Sequence, residues 1–292
     1  MYPNAQGIIF LLPLLVGLYL FKIWPCIQVI AISFKSDYDY ASGSYSALNL
    51  SNYQKIFNDT YFIQAFVNTL KYVVFVVAGT VFISLIISWC LFRINKGTVF
   101  FKTLFFLPLI SSDIAVGISW RLLFNRYGIV NALLNSISID SIGWLTDKDC
   151  SLLTLVVYGI WSSLPISVLL LYTSFQRVST NLIIAAQIDH APETKLFAKV
   201  VFPIVRPTVL LVSVINCISS WLVINGLFPL FTGLPGPYFN LYTMVYYIYS
   251  KSGEGNRSLG EACAASVVLL ASVSILLIVR CLYGNKKHEN AE

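Results

Sequence analysis

Long apolar runs without charge alternate along this chain with short polar connectors. Six stand out: Gly7 to Ser33, Phe62 to Phe92, Phe101 to Phe124, Ser151 to Phe175, Ile204 to Phe231 and Glu261 to Cys281. A helix needs about 20 mostly apolar residues to cross a bilayer, so each run suffices for one crossing. The pattern therefore predicts an all-α, polytopic membrane protein with six transmembrane helices. The first run lacks a basic leader and a small-residue cleavage site, and its FLLPLLVGLYLFKIWP continues into more apolar sequence. It predicts a retained helix, bent near Pro25, and not a signal peptide. Lys22 lies inside that helix and must snorkel to an interface or face a polar interior. Pro13 and Pro25 each remove a backbone hydrogen bond, which a bundle tolerates where neighbours or water satisfy the freed carbonyls.

Composition narrows the class further. Of 292 residues, 57% are apolar and 11% charged, against about a quarter charged in an average soluble domain. Thirteen acids, 19 bases and two histidines cannot coat a water-soluble surface of this size, which excludes soluble enzymes and nucleic-acid binders. With the N-terminus placed inside, ten cations fall in cytoplasmic segments and eight outside, while only four of the 13 acids fall in cytoplasmic segments. Both ends are therefore expected in the cytoplasm. The six cysteines, at 26, 90, 150, 217, 263 and 281, form no CxxC pair and have no histidine nearby. They read as small apolar residues of a bundle, and neither a metal site nor a disulfide framework is expected.

One cytoplasmic segment is too polar to cross a membrane and too patterned to be a linker. It is RVSTNLIIAAQIDHAPETKLFAKVVFPIVRP, Arg177 to Pro207, and it predicts two short helices. Ser179 or Thr180 can cap the first, with Leu182, Ile183, Ala186 and Ile188 as an apolar side. Pro192 suits the first turn of the second, and Glu193 its positive end. Asp189, His190 and Ala191 form the corner. Apolar residues on a water-exposed loop go unburied without a partner, so the pair reads as a docking knob.

In this segment Ala185-Ala186, Asp189, Ala191, Phe197 and Pro203 follow the spacing of the EAA loop, E-A-A-x-x-D-G-A followed by a Phe and then a Leu-Pro. That loop belongs to permease subunits of binding-protein-dependent ABC importers, and the chain resembles their carbohydrate type, the maltose and glycerol-phosphate systems, along nearly its whole length. The likeness runs through FLLP at Phe10, NYQKIF at Asn52, LFFLP at Leu104, ISWRLLFNRYGIVNALL at Ile118, TGLPGP at Thr232 and YYIY at Tyr246.

The resemblance implies a type I ABC importer permease fold in a bacterial plasma membrane. A first helix and extracytoplasmic loop would fill 1–61, the permease core 62–283 with its coupling loop at 177–207, and a cytoplasmic tail 284–292. It further implies a second permease subunit or second copy, a cytoplasmic ATPase dimer that receives the loop, and an extracytoplasmic solute-binding protein. No G-x-x-x-x-G-K-[ST] loop is present to cradle phosphates, so no cofactor is expected on this chain and no catalysis; ATP and Mg belong to the partner ATPase. Two positions depart from the pattern. The leading Glu falls at Ile184, which removes a possible charged contact to the ATPase. The turn Gly falls at His190, which costs on the order of 1 kcal/mol if the corner is left-handed. Either the corner is not left-handed here, or a second subunit with a complete motif dominates coupling.

Polar side chains in mid-span are costly unless paired or lining water, so they mark candidate pathway positions. Asp113, central in the third run, can accept hydrogen bonds from sugar hydroxyls or pair with Lys22 or Arg121. Ser213, Asn216 and Ser220 share one helical face, with Asn225 beyond. With Trp221, and with Trp161, Ser162 and Ser163 of the fourth run, they suit a polyhydroxylated solute; close helix packing through small polar residues is the alternative. Trp24, Trp120 and Trp144 fit interfacial belts. Gly233, Gly236 and Pro237 of TGLPGPYF fit a loop facing the binding protein, or an ordinary turn. The competing functions are an ion-coupled secondary transporter, which predicts internal repeats that the halves do not display, and a degenerate subunit that assembles without transporting. An intramembrane enzyme finds no convergent catalytic set: His190 and His288 belong to no H-E-x-x-H or Ser-His-Asp pattern.

Overall fold

The computed structural model describes residues 4–94, Phe100, Thr103, 111–223, 226–253 and 258–285, and these are mostly helical. Among them, four helices are long and apolar enough to cross a membrane: Phe10–Ser33, Thr60–Arg93, Lys148–Phe175 and Glu193–Trp221. A fifth apolar stretch, Leu259–Ile275, belongs to the 27-residue helix Leu259–Asn285. The run expected from Phe101 to Phe124 lies partly outside the described residues, and its described helix is Asp113–Leu123.

In chain order the helices are α1 (residues 4–33), α2 (Ser51–Asn58), α3 (Thr60–Arg93), α4 (Asp113–Leu123), α5 (Ile129–Ser136) and α6 (Lys148–Phe175). Then come α7 (Thr180–Ile188), α8 (Glu193–Trp221), α9 (Leu227–Leu230), α10 (Met244–Gly253) and α11 (Leu259–Asn285). Within α1 the irregularity precedes Pro25: a π-helical turn spans Tyr19–Ile23, and Pro25 opens the α-helical piece that follows. A wide turn before a proline lets the chain absorb the missing N–H without breaking. A second π-helical turn, Leu196–Val201, precedes Pro203 in α8 in the same way.

The fifth crossing differs from its expected bounds at both ends. The expected second short helix of the knob is the beginning of α8 itself, since Glu193–Trp221 is continuous. At its other end α8 stops at Trp221, ten residues before Phe231, and Leu222 closes it by donating to the Ser219 carbonyl. Beyond it Gly226 lies so close to the Tyr158 ring that a Cβ there would collide.

The chain falls into two compact units. One combines Met1–Ala65 with Met244–Glu292. Here Asn52, buried, donates from Nδ2 to the Ser33 and Lys35 carbonyls at 3.0 and 2.8 Å, and a two-residue hairpin pairs Lys35 with Leu48. A Cβ on Gly260 would come within 2.6 Å of Asn52 Nδ2, so glycine permits the approach of α11 to α2. Lys251 Nζ lies 3.6 Å from Asp59 and 3.4 Å from Glu261, and the Tyr247 hydroxyl donates to the same Asp59 carboxylate at 2.8 Å.

The other unit, Phe66–Thr243, packs α6 against α8 and α4 against α9. Its core joins Leu171, Phe175, Leu196, Val201, Val205 and Val212. Asp147 caps α6, accepting from the Asp149 N–H at 3.0 Å. The best apolar window of α1, by contrast, buries none of its residues, and Phe10, Leu14 and Phe21 are exposed. In lipid such outward apolar surface costs nothing, because acyl chains are as apolar as the side chains.

Candidate functional site

The segment from Arg177 to Pro207 is built on a helix C-terminus. Asp189 ends α7, His190 N–H donates to the Gln187 carbonyl at 3.0 Å, and Ala191 N–H donates to the Ala186 carbonyl at 3.0 Å. These two bonds form a Schellman motif, whose residue after the cap must be left-handed. That residue is His190, with φ +49°, so the corner is left-handed and the first of the two alternatives for His190 is excluded. Ser179 stands at the N-cap of α7 with extended backbone and makes no side-chain cap bond. Pro192, also extended, precedes the second helix as its N-cap.

Packing divides the predicted docking residues into two groups. Ile183 is buried and Ala186 half-buried against the core, while Leu182, Ile184 and Ile188 are exposed, Ile188 at 72%. Ala185, Asp189, His190 and Pro203 are exposed too, whereas Ala191 and Phe197 are half-buried. The Phe197 ring meets Trp89 edge-on at 5.2 Å, and Trp89 and Phe92 lie 5.7 and 6.0 Å from Phe175. This aromatic box joins the ends of α3 and α6 to the start of α8. Arg93 adds an ion pair with Glu193 and lies over the Trp89 ring. The pair is largely exposed and contributes at most about 1 kcal/mol, whereas each aromatic contact adds about 0.5–1.5 kcal/mol beyond burial. Packing, not charge, therefore fixes the corner to three long helices. Phe197 positions the knob and offers little surface to a partner.

Between the long helices a cavity of about 270 Å³ is lined by Asp113, Ser162, Asn216 and Ser220, with Ser163 and Ser219 beside them. Asp113 is the first residue of α4 and exposed, so it opens a helix and does not sit within one. Asn216 is 4% exposed and donates to Ser167 Oγ and to its own helix at Val212 O, both at 2.9 Å. Three predicted positions lie elsewhere. The Ser213 hydroxyl donates back to the Val209 carbonyl, the Trp161 ring lies tilted against Trp120 at 5.2 Å, and Trp221 is buried beside Phe66 at 5.8 Å. Asn225 lies outside the described residues. Tyr72, Tyr158 and Ser167 also line it, with apolar residues such as Ile166 and Ile215; nothing in the sequence context of the three polar ones separates them from ordinary packing residues. Gly159 brings α6 onto Tyr72, since a Cβ there would collide with the Tyr72 hydroxyl.

A second, larger cavity of about 650 Å³ adjoins the segment 232–239. That segment is strained: Thr232, Gly233, Gly236, Tyr238 and Phe239 all have φ between +54° and +80°. Each of the three non-glycine residues costs on the order of 1 kcal/mol. Asn240 anchors its end, donating to the Lys148 carbonyl at 2.7 Å and to Ser151 Oγ at 2.8 Å. Asn131 holds the opposite wall. Its Nδ2 donates to the carbonyls of Asn125, Arg126 and Ile142, and its Oδ1 accepts from the Ile142 N–H and from Trp144 Nε1 at 3.0 Å. Trp144 is thereby a fixed wall residue, and Trp120 stacks on Phe124. Trp24 is exposed, with Tyr19 beside it.

No protein-family model matches the chain. Among curated proteins, it is 28% identical over 280 residues, 94% of this chain and 89% of the other, to the probable ABC transporter permease protein YesP of Bacillus subtilis. It is 27% identical, over 94% of this chain and 92% of the relative, to the sn-glycerol-3-phosphate transport system permease protein UgpA of Escherichia coli. It is also 27% identical, over 95% and 88%, to the arabinooligosaccharides transport system permease protein AraP of Halalkalibacterium halodurans. Its fold matches a chain of a bacterial ABC transporter involved in the import of the acidic polysaccharide alginate, with TM-score 0.81, 18% identity, and coverage of 97% of this chain and 96% of that one. A chain of a bacterial alginate ABC transporter in complex with an alginate pentasaccharide-bound periplasmic protein gives TM-score 0.79 at 17% identity, over 95% and 93%. Over nearly its whole length, in sequence and in fold, the chain resembles the permease subunits of carbohydrate-type ABC importers.

Proposed function

We propose that this chain is the membrane-spanning permease subunit of an ATP-driven importer, six helices in a bacterial plasma membrane with both ends cytoplasmic. It translocates a sugar or related solute delivered by an extracytoplasmic binding protein. A second permease subunit completes the pathway, and two cytoplasmic ATPase subunits bind the ATP and Mg. The solute class is supported by relatives named for glycerol 3-phosphate and arabinooligosaccharides, both polyhydroxylated.

The observation that carries the reading is the corner after α7. Leu182, Ile184 and Ile188 stand exposed on a short helix whose other face is locked by Ile183 into the core shared by α3, α6 and α8. Closure of the two ATPase domains would push on this corner and tilt the helices attached to it. ATP then drives transport only as far as it binds the two arrangements with different affinity.

The test is purification of the tagged chain in mild detergent from its native membrane. Recovery of an ATPase and a second permease, with hydrolysis stimulated by a sugar, is the expected result. Ile188→Arg should release the ATPase while leaving the second permease bound. A chain recovered alone and transporting in ATP-free liposomes would overturn the proposal in favour of a secondary transporter.

A further inference from the structure

The larger cavity carries a charge pattern that the permease reading leaves unused. Arg121, in the last turn of α4, and Arg126, three residues beyond that helix, both line it. Among the described residues neither guanidinium has a side-chain hydrogen bond or an ion pair, and no acid lines the cavity. A cation in the last turn of a helix is favoured by the helix dipole, which accounts for Arg121. Arg126 lies in the turn after the helix, and like Arg121 it is exposed at the mouth of the cavity. Two guanidinium groups facing one concave space without a counter-charge create a positive field that a bound anion relieves, and their planar forks suit carboxylate or phosphate oxygens.

The other walls suggest what bears the anion. Phe124, Trp144 and Tyr238 supply flat apolar faces and Thr146 a hydroxyl, in a volume within the usual range for small-ligand sites. Trp144 is held by its hydrogen bond to Asn131, while Tyr238 stands exposed on the left-handed segment at the cavity mouth. The cavity also lies at the far end of α6 from the docking corner. Its wall residues Trp144 to Thr146 immediately precede that helix, which spans about 42 Å over its 28 residues before it reaches Phe175 in the aromatic box. On the proposed topology this end is extracytoplasmic.

We infer that this cavity is a vestibule selective for anionic sugars, in which Arg121 and Arg126 bind a carboxylate or phosphate of the solute while Phe124, Trp144 and Tyr238 cover its rings. The inference rests on the permease reading for its placement on the entry side, and it assigns the importer a solute that is acidic and not neutral.

The test uses the full chain, purified in detergent, with intrinsic tryptophan emission as the readout because Trp144 is part of the wall. Trigalacturonate and a neutral galactose trisaccharide of equal length are titrated at low and high salt. The expected result is saturable quenching by trigalacturonate at a concentration at least tenfold below that for the neutral sugar, weakening as salt screens the arginines. R121Q/R126Q should lose at least tenfold in affinity, and R121K/R126K should retain more than half of that gain. Where the double glutamine variant does not assemble, R121Q and R126Q singly must each lose at least threefold. Equal response to the two sugars, or glutamine variants that bind as the parent does, would overturn the inference. Co-purification of the ATPase, read on the same preparations, separates the two failures: loss of anion preference with the ATPase still bound refutes the vestibule and leaves the permease reading standing.

Discussion

Asn131→Leu removes a polar hub while keeping the branched shape of the side chain, and the structure states what is left behind. Asn131 is fully buried and makes five polar contacts, three donated to carbonyls and two accepted from N–H groups. Carbonyls of Asn125 and Arg126 lie at the exposed rim and can turn to water, but the Ile142 N–H and Trp144 Nε1–H lose their acceptor inside the wall. An unsatisfied buried donor costs about 1–3 kcal/mol. Because Ile142 and Trp144 are half-buried, the lower part of that range applies, and the pair should cost about 2–4 kcal/mol. At 1.4 kcal/mol per tenfold, local opening becomes roughly 30- to 700-fold easier. Hydrogen exchange followed by mass spectrometry on peptides covering 125–147 reads this directly, with the α6 interior, 155–171, as internal control. Protection should fall in the first segment and hold in the second. A change below threefold in 137–147 would show that Asn131 is not the support of the wall, and equal loss in both segments would show that it supports the whole unit and not one cavity.

His190→Gly and His190→Val probe the left-handed corner: relief of about 1 kcal/mol of strain is partly offset by the flexibility of glycine, so Gly should melt slightly higher than the parent. Val, β-branched, should melt distinctly lower; equal melting of Gly and Val would contradict the φ of +49°. Lys251→Met leaves Asp59 and Glu261 facing each other without the ammonium 3.6 and 3.4 Å away. A loss of about 1–3 kcal/mol, partly restored by salt, should appear as a lower melting temperature in detergent, and an unchanged melt would mean that the Tyr247 hydroxyl on Asp59 and Lys55, 4.0 Å from Glu261, suffice. Gly159→Ala should cost about 1–3 kcal/mol by overpacking against Tyr72 and Val76. Adding Tyr72→Phe removes the hydroxyl nearest the new methyl, so the double variant should recover part of the loss; additive damage would place the clash elsewhere.

What could be read from sequence follows from what a bilayer demands. The long helices α3, α6 and α8 were legible because a crossing is specified by length and apolarity alone. The corner at Asp189, His190 and Ala191 was legible because a helix stop has a local rule, and the rule holds here although His190 replaces glycine. Asn216 and Ser220 could be placed on one face by helical period, and both line the same cavity. Ser213, one turn earlier on the same helix, does not line it, and its hydroxyl returns to the Val209 carbonyl at 2.8 Å. No period reveals that choice.

The asparagines were the least legible. In a soluble protein the apolar stripe points inward and identifies the core, but along α1 the apolar residues point outward, and their pattern carries no information about the interior. The information passes to the few buried polar side chains, each of which must find partners or lose stability. Asn52, Asn131, Asn216 and Asn240 are all buried, and all four tie segments that are distant in the chain or irregular in backbone. An isolated Asn in such a sequence resembles a loop residue, because its pairing is set by elements up to 92 positions away. In a lipid-facing bundle of this kind the interior is specified by its polar residues, and a substitution that conserves shape at one of them should do more damage than the loss of a large apolar side chain on the lipid face.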